Sequence, residues 1–599
     1  MSSRTVLTIA CLVIVASLLC VQTEAQTFCL TPTAVPQPPP PDSPQPVCQP
    51  RKCDRCTKSP CYVASGVYST DALDLALPTT GTYNLIAQRL YDSSRPVDGP
   101  AGVGWFFSIM PRVYYVTYLV AAPSTYSHEV DAFMPDGIVY RFSVDAAGAF
   151  SAPPGRYDKL VRNSDSTYSL TLQHTRTVFA FNADGAVASL TDGFGNVITW
   201  TYDSGGRVQR VADSAGSGRY IDLTWGPDGR VSALTDNSGR QVKYYYDSSD
   251  GTLTGVADPT VSGNASLRST NYTYGAGRFG KVLTQISDRW NRVISELEWY
   301  SDGKLKSYTD GAYDGSPTSV GEKYTYIYNP VTATTTKSDS IASTSYQYGD
   351  TGLVTPLNYV NGQPIAVTSP AGGNFQYEYD AVGHVTKISA TSPDPPNGSG
   401  TVVWWFTYDT AWPDQVASII PKDASGNLKT NWAGWFYDYY PAGSVSPSAL
   451  ARVWRVRSDT FTRDLFASYN YTSHGRISGA TDDNGIVTAY GYNAAGDLAS
   501  ITTSGAPNVT QITYDAVGRP LTVTDPNGHV TTTTYDALDR VLSVTLPKPS
   551  AISAYETVTA SSYDNYDSTT GPDIHECYRP KRARGEVWIR RARASCPNG

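Results

Sequence analysis

Gly275-Ala276-Gly277-Arg278-Phe279-Gly280 has the spacing with which a glycine-rich turn cradles the phosphates of a dinucleotide. Strand-like Tyr272-Thr273-Tyr274 precedes it, and Glu296 follows about twenty residues on, where such sites place a ribose-binding acid. The next residues, Lys281-Val282-Leu283-Thr284, continue as strand, so no helix N-terminus is on hand to hold a phosphate. The pattern reads as a turn. His128-Glu129 and His575-Glu576 each begin the metal-binding spacing H-E-x-x-H, but Ala132 and Arg579 stand where the second histidine is needed. No G-x-S-x-G nucleophile elbow occurs. The six histidines are scattered, so no catalytic residues, metal ligands or cofactor are expected, and a hydrolase has no support. Acidic residues fall mostly in turns, where an Asp side chain caps its own backbone; calcium on these turns is the competing reading.

Two clusters remain. Cys48, Cys53, Cys56 and Cys61 form C-x4-C-x2-C-x4-C, dense enough to hold zinc as thiolates or to pair as disulfides. An exported chain favours disulfides. Trp404, Trp405, Trp412, Trp432 and Trp435 crowd together with Phe406, Tyr439 and Tyr440. Exposed aromatic faces bind sugar rings, so these tryptophans are the candidate carbohydrate contact, with a hydrophobic plug as the competing reading. Asn264, Asn271, Asn397, Asn470 and Asn508 lie in N-x-S/T sequons, candidate glycosylation sites in a host that glycosylates exported proteins.

The elements that position these residues come from a repeat of about twenty-one residues anchored on Tyr-Asp. It is clearest at Tyr514-Asp515-Ala516-Val517-Gly518-Arg519 and Tyr535-Asp536-Ala537-Leu538-Asp539-Arg540, with Thr524-Asp525-Pro526-Asn527-Gly528 between them. Tyr202-Asp203 and Tyr379-Asp380 open the same pattern, and His384 takes the place that Arg519 holds elsewhere. Between anchors the residues alternate as strands do, as in Val530-Thr531-Thr532-Thr533-Thr534-Tyr535. Each repeat therefore reads as two short strands and two tight turns, with Gly supplying the backbone angle that a side chain resists. A period of this size predicts one long stacked object. Tyr outnumbers Phe by 43 to 15, which suits rings packed on the next repeat with the hydroxyl in water or on a backbone group.

Composition bounds the rest. Only 17% of residues are charged, below the usual quarter, as in extracellular β proteins. Met1 to Ala25 reads as a signal peptide, with Arg4, an apolar stretch from Val6 to Val21 and small Ala25 at the cleavage point. No later segment is long and apolar enough for a membrane span, so a secreted, extracellular protein is expected. Residues 26–65 form a Pro- and Cys-rich linker, with Pro38-Pro39-Pro40-Pro41 within a semi-rigid stalk. The net charge of −8 combines a tail of +6 from Arg579 onward with an acidic body, which disfavours nucleic acid as a partner.

These residues resemble the YD-repeat, or Rhs, family. Asp71-Ala72-Leu73-Asp74-Leu75-Ala76-Leu77-Pro78, followed by Gly99-Pro100-Ala101-Gly102-Val103-Gly104-Trp105, is similar to the family's N-terminal domain. Pro135-Asp136-Gly137, Ala152-Pro153-Pro154-Gly155 and Thr191-Asp192-Gly193-Phe194-Gly195-Asn196 extend the likeness, which spans roughly 66 to 549. The resemblance implies an all-β fold, an antiparallel YD-repeat array curving into an incomplete, cocoon-like shell. It divides the chain into an N-terminal β domain at 66–150, the array at 151–549 and a divergent basic tail at 550–599. Bacterial members enclose a C-terminal toxin, animal relatives form teneurin shells, and the repeats are associated with carbohydrate binding.

One family feature is missing. The Asp-Pro-x-Gly-Leu motif of the terminal core does not occur, since Asp525-Pro526-Asn527-Gly528 is followed by His529. The tail reads either as a short variable tip or as the out-of-frame end of a truncated gene. Two functions follow: a secreted non-enzymatic scaffold or adhesion protein contacting glycans or cell-surface polymers, or the encapsulating front part of a polymorphic toxin. Without a closing core, the last repeats around Tyr535 to Ser562 are expected to leave a strand edge open to self-association. Mass spectrometry of the unreduced secreted chain is expected to find Cys48, Cys53, Cys56 and Cys61 paired; four free or zinc-loaded thiols would contradict this.

Overall fold

The computed structural model describes residues 61 to 572 with breaks, the longest at 312–322, 349–363, 392–400, 423–433 and 546–557. Two compact units are resolved: Thr23–Val509 with Asp515–Gly518, and a smaller one whose described residues belong to Thr510–Tyr514 and Arg519–Gly599. Among the described residues there are strands and turns but no α-helix. The chain is all-β and antiparallel, and within each unit the strands of the array pair with their neighbours in sequence.

The turn chemistry repeats with the sequence. Asp203 Oδ1 accepts the amides of Gly205 at 2.9 Å and Arg207 at 3.0 Å. The Gly206 amide donates to Asp203 O at 3.0 Å, and Arg207 Nε donates to Asp203 Oδ2 at 2.8 Å. Hydrogen bonds from Arg207 hold the Asp203 carboxyl below the usual carboxylate range. The side chain thus satisfies amides that the reversal takes out of the ladder. Asp192, Asp236, Asp482, Asp525 and Asp536 accept from the same two relative positions. The fourth residue of the turn must be left-handed: Gly206 has φ +74°, and Asn291 (+61°) and Asp539 (+64°) are polar residues that tolerate it. His384 substitutes for Arg as the sequence implies, its Nδ1 lying 3.1 Å from Asp380 Oδ2.

The anchor aromatic ties one repeat to the previous one. Each donates from its rim to the carbonyl that opens the preceding returning strand: Trp225 Nε1 to Val208 O at 2.8 Å, Tyr246 to Val231 O at 2.9 Å, Tyr274 to Leu253 O at 3.0 Å. Trp299, Tyr328, Tyr408, Tyr439, Tyr471 and Tyr492 repeat it at 2.7–2.9 Å, and Tyr202 does so to Val187 O. Tyr535 bonds Pro520 O at 2.9 Å within the smaller unit. The receiving residue is also the ladder partner of the previous anchor, Val208 opposite Tyr202 and Val231 opposite Trp225. The register shifts at Tyr202, Trp225 and Tyr246, which interrupts the ladder where the ring supplies its donor.

The N-terminal strands Val67–Leu77, Leu85–Asp92 and Trp105–Phe107 lie against one face of the early repeats. Tyr68, Leu77, Leu85, Trp105 and Phe107 join Leu170, Phe179, Ile221, Leu234 and Leu283 in one buried cluster. Inside it Arg89 pairs with Asp74 at 2.8 Å, while Tyr272 accepts from Arg89 at 2.6 Å and Tyr244 donates to Asp74 at 2.7 Å. A second sheet follows, from Arg112–Ala121 to Phe150–Ser151. Under the N-terminal cover Ile221 and Leu234 are fully buried, whereas Ile477 and Ile501 in late repeats are only half-buried.

Removing an anchor donor without its ring isolates the tie. Tyr246→Phe is expected to lower stability by about 1 kcal/mol in denaturant unfolding, because the Val231 carbonyl loses a partner. Trp225→Phe should cost more, since it also leaves a gap. Burial pushes the Tyr202 phenol up to about 12. A phenol raised in the fold contributes stability that is complete below its unfolded value, about 10, and is lost as pH rises through the folded value. Spectrophotometric titration should therefore show phenolate appearing together with unfolding above about pH 10. Phenolates forming near 10 in a chain that stays folded would contradict buried anchors.

Candidate functional site

The tryptophans divide between the two sides of the sheet. Trp404 and Trp405 are adjacent on the strand Thr401–Tyr408, so strand alternation sends them to opposite faces. Trp404 (2% exposed) joins Trp435 (3%) in a second buried cluster, where Trp435 meets Phe466 edge-on at 5.1 Å. Trp412 is half-buried and donates from Nε1 to Tyr440 O at 3.2 Å. Trp432 lies outside the described residues. The predicted group is thus in part the plug that the competing reading supposed, and one ring, Trp405, stays 39% exposed.

The face that carries Trp405 holds other groups that the sequence did not single out. Ladder pairing aligns Lys387 with Trp405, Ser418 with Phe436 and Phe436 with Trp454. Lys387 Nζ and Lys422 Nζ stand 5.4 and 4.9 Å from the Trp405 ring centre, within cation–π range. Arg463 stacks on Phe436 at 3.7 Å, and Trp454 Nε1 donates to Asp438 at 2.6 Å. Trp454 was legible only through alternation, since it falls outside the dense aromatic stretch. Chemically, this face offers one flat open ring ringed by cations and hydrogen-bonding groups.

The remaining candidates are dispersed. Gly275 to Gly277 close the strand Thr270–Gly277, which pairs with Gly280–Asp288 as a hairpin. His128 lies on a strand, its ring 5.7 Å from Tyr115. Among the described residues no group of three or more His, Cys, Asp or Glu side chains could hold a metal ion. Cys48, Cys53 and Cys56 lie outside the described residues, while Cys61 is ladder-paired with Tyr68. Of the sequons, Asn264, Asn397 and Asn508 lie outside the described residues. Asn271 is half-buried with its amide on Asp288 O at 3.0 Å, and Asn470 is exposed.

A second constellation is built on the loop 78–83. Thr80 donates its amide and hydroxyl to Asp213 Oδ2 at 2.9 and 3.0 Å, and Thr82 does the same to Asp192 Oδ2 at 3.0 and 2.8 Å. From late repeats, Arg476 donates to the carbonyls of Thr79, Thr80 and Gly81, the last two at 3.1 Å. Arg219 forms a two-pronged pair with Asp497 at 2.9 and 2.8 Å and reaches Pro78 O and Ala516 O, both at 3.2 Å. Gly496 fits because a Cβ there would stand 2.7 Å from Thr80 Cα. Turns from early and late repeats of the larger unit thus meet at one loop. A signal for this existed: Asp497 occupies the turn position that Arg207 and Arg540 hold in other repeats, a reversed charge requiring a cation from elsewhere.

Arg219 and Asp497 are 2% and 4% exposed, so losing one strands the other. Arg219→Ala is expected to destabilise the larger unit by about 3–5 kcal/mol in denaturant unfolding. Burial pushes the Asp213 carboxyl up, but hydrogen bonds from Ser217 and Thr80 outweigh it and leave it below the usual value. A carboxylate lowered in the fold stabilises fully above its unfolded value, about 3.9, and that contribution disappears as pH falls through the folded value. Thr80→Val should therefore flatten the acid limb of the stability curve below about pH 4.

The family described as RHS Repeat matches residues 181–217, 471–507 and 514–551. Each match starts on an anchor: Phe181, Tyr471 or Tyr514. Among curated proteins, the tRNA3(Ser)-specific nuclease WapA of Bacillus spizizenii is 26% identical over 234 residues. That match spans 38% of this chain but 8% of WapA. Among solved structures, a TcdB2–TccC3–Cdc42 crystal structure matches 80% of this chain and 26% of its own at 14% identity, TM-score 0.38. A Photorhabdus luminescens Tc holotoxin pore matches 76% and 25% at 14% identity, TM-score 0.37. The sequence matches fall on repeats whose anchors and turns are described above, and at those three places the chain carries RHS repeats.

Proposed function

We propose that this chain is a secreted, non-enzymatic RHS-repeat scaffold that presents its sheet surface to glycans or other cell-surface polymers. The observation that carries the reading is Trp405, a tryptophan left 39% exposed on a repeat sheet whose neighbouring aromatics are buried or bonded. An open indole face costs solvation, and a sugar ring is a ligand that covers it. Repetition of similar surfaces along the array favours weak contacts made many times over, where linkage multiplies affinity.

A second reading has its own observation. The relative that matches over 234 residues is a tRNA nuclease many times longer than the matched stretch. On that reading the chain is the encapsulating front of a polymorphic toxin whose catalytic part lies beyond these residues.

Two measurements separate the readings. A glycan array probed with the purified chain is expected to show binding that Trp405→Ala removes; an array with no binders leaves scaffolding without a glycan. Bulk tRNA incubated with the same chain is expected to stay intact, and cleavage would overturn the non-enzymatic reading. The intact mass of the native protein decides the rest. A species near or below the 64.7 kDa of this chain supports the scaffold, whereas a much larger one bearing a further C-terminal domain supports the toxin front.

A further inference from the structure

We infer that the joint between repeats at His384 is a pH-responsive link, closed by a charged imidazole in mild acid and loosened when the imidazole is neutral. A contact that recurs along the array carries it. The residue five places after an anchor precedes the returning strand, and its cation lies over the next anchor ring. Arg207 stands 5.6 Å from the Trp225 ring centre, Arg230 5.7 Å from that of Tyr246 and Lys304 5.2 Å from that of Tyr328. Arg476 stands 5.8 Å from Tyr492, and in the smaller unit Arg519 lies 5.2 Å from Tyr535. All are within cation–π range.

After the anchor Tyr379, the same place holds an imidazole. His384 is 4% exposed and stacks on Tyr408, with ring centres 4.4 Å apart and planes at 25°. Tyr408 is also the anchor that donates to Val385 O at 2.9 Å, so the histidine touches the tie itself. Its Nδ1 lies 3.1 Å from Asp380 Oδ2, and its amide donates to Asp380 Oδ1 at 2.8 Å. Charged groups on the flanking strands have other partners. Glu378 on Asn374–Tyr379 and Lys387 on Val385–Thr391 pair with each other at 2.7 Å. The Asp409 carboxylate, just after Thr401–Tyr408, accepts the amides of Ala411 and Trp412 at 2.8 and 2.9 Å. Among these groups, the imidazole faces the Asp380 carboxylate and the Tyr408 ring.

Charge decides how well this link holds. Arginine and lysine keep their charge at physiological pH, so the joints they close do not respond to it. An imidazole changes charge near about pH 6.5. Burial disfavours the charged ring, and the Asp380 carboxylate and the face of Tyr408 oppose it, since both hold the charged form more strongly. The unfolded chain offers neither contact. The stabilisation is therefore complete in mild acid, below about pH 6.5, and is lost as the ring gives up its proton at higher pH. Val385 and Ile388, just after the turn, are buried in the second cluster, so a loosened link opens the start of that cluster to exchange.

Hydrogen–deuterium exchange of the full chain tests the link, with protection factors corrected for intrinsic rate and compared between about pH 5.5 and 8. Strands Val385–Thr391 and Thr401–Tyr408 are expected to lose about fivefold in protection as pH rises, the scale of one cation–π contact. Val208–Asp213 and Val231–Asp236, which follow Arg207 and Arg230, should keep theirs. His384→Arg installs the residue that other joints carry and should hold both strands protected across the range. His384→Gln should leave them at the weaker level at every pH, and Asp380→Asn should shrink the response. Should His384→Gln fold poorly by circular dichroism, the arginine variant still decides. A pH response that survives His384→Arg, or protection that rises with pH in the unaltered chain, overturns the inference. So does a loss of equal size in every strand, or no loss in these two.

Discussion

The structure depends on a hydrogen bond from the rim of an aromatic ring to a backbone carbonyl one repeat earlier. Tyr246 makes it to Val231, Tyr471 to Leu450 and Tyr492 to Ile477, and the indoles of Trp225 and Trp299 make it with their N–H. This constraint explains which residues stand at the anchor. The position needs a flat apolar ring to pack on the neighbouring repeat and a donor at its far edge. Tyr and Trp supply both, and Phe supplies only the first. Phe181 holds the anchor position at the start of the array, buried at 1% exposure. The chain's excess of Tyr over Phe is therefore the mark of an array held together neighbour by neighbour.

Neighbour bonds alone leave one face of such a sheet wet, and the molecule covers it unevenly. The N-terminal strands bury the early repeats, while Trp404, Trp435 and Tyr469 form a separate cluster later on. The loop 78–83 then joins early turns to late ones through Arg219, Asp497 and Arg476. A protein arranged in this way has periodic surfaces, broken by a few residues that depart from the pattern. Trp405 and the cations beside it are such a break.

Local features were legible in the sequence, and long-range ones were not. Asp203-Ser204-Gly205-Gly206-Arg207 announces its turn because every bond in it lies within four residues. The Tyr anchors announce their period, and the literal G-x-G-x-x-G spans the end of a hairpin, its first three residues in one strand and its last opening the next. The division of the tryptophans is harder. Counting aromatics in a window merges Trp404 with Trp405, although a period of two separates them. Trp454 was overlooked because its partner, Phe436, is eighteen residues away in sequence and directly opposite in the ladder. The Arg219–Asp497 pair joins positions 278 residues apart, so only the odd acid in an Arg position hints at it.

Hydrogen–deuterium exchange on a single anchor variant tests most directly whether repeats are tied through ring donors. With Tyr492 changed to phenylalanine, amides of Ile477–Asp482 and Val487–Tyr492 are expected to exchange faster, while those of Val197–Tyr202 and Val208–Asp213 keep their protection. Unchanged exchange throughout, or an equal loss of protection in every strand, would contradict an array held by neighbour-to-neighbour hydrogen bonds.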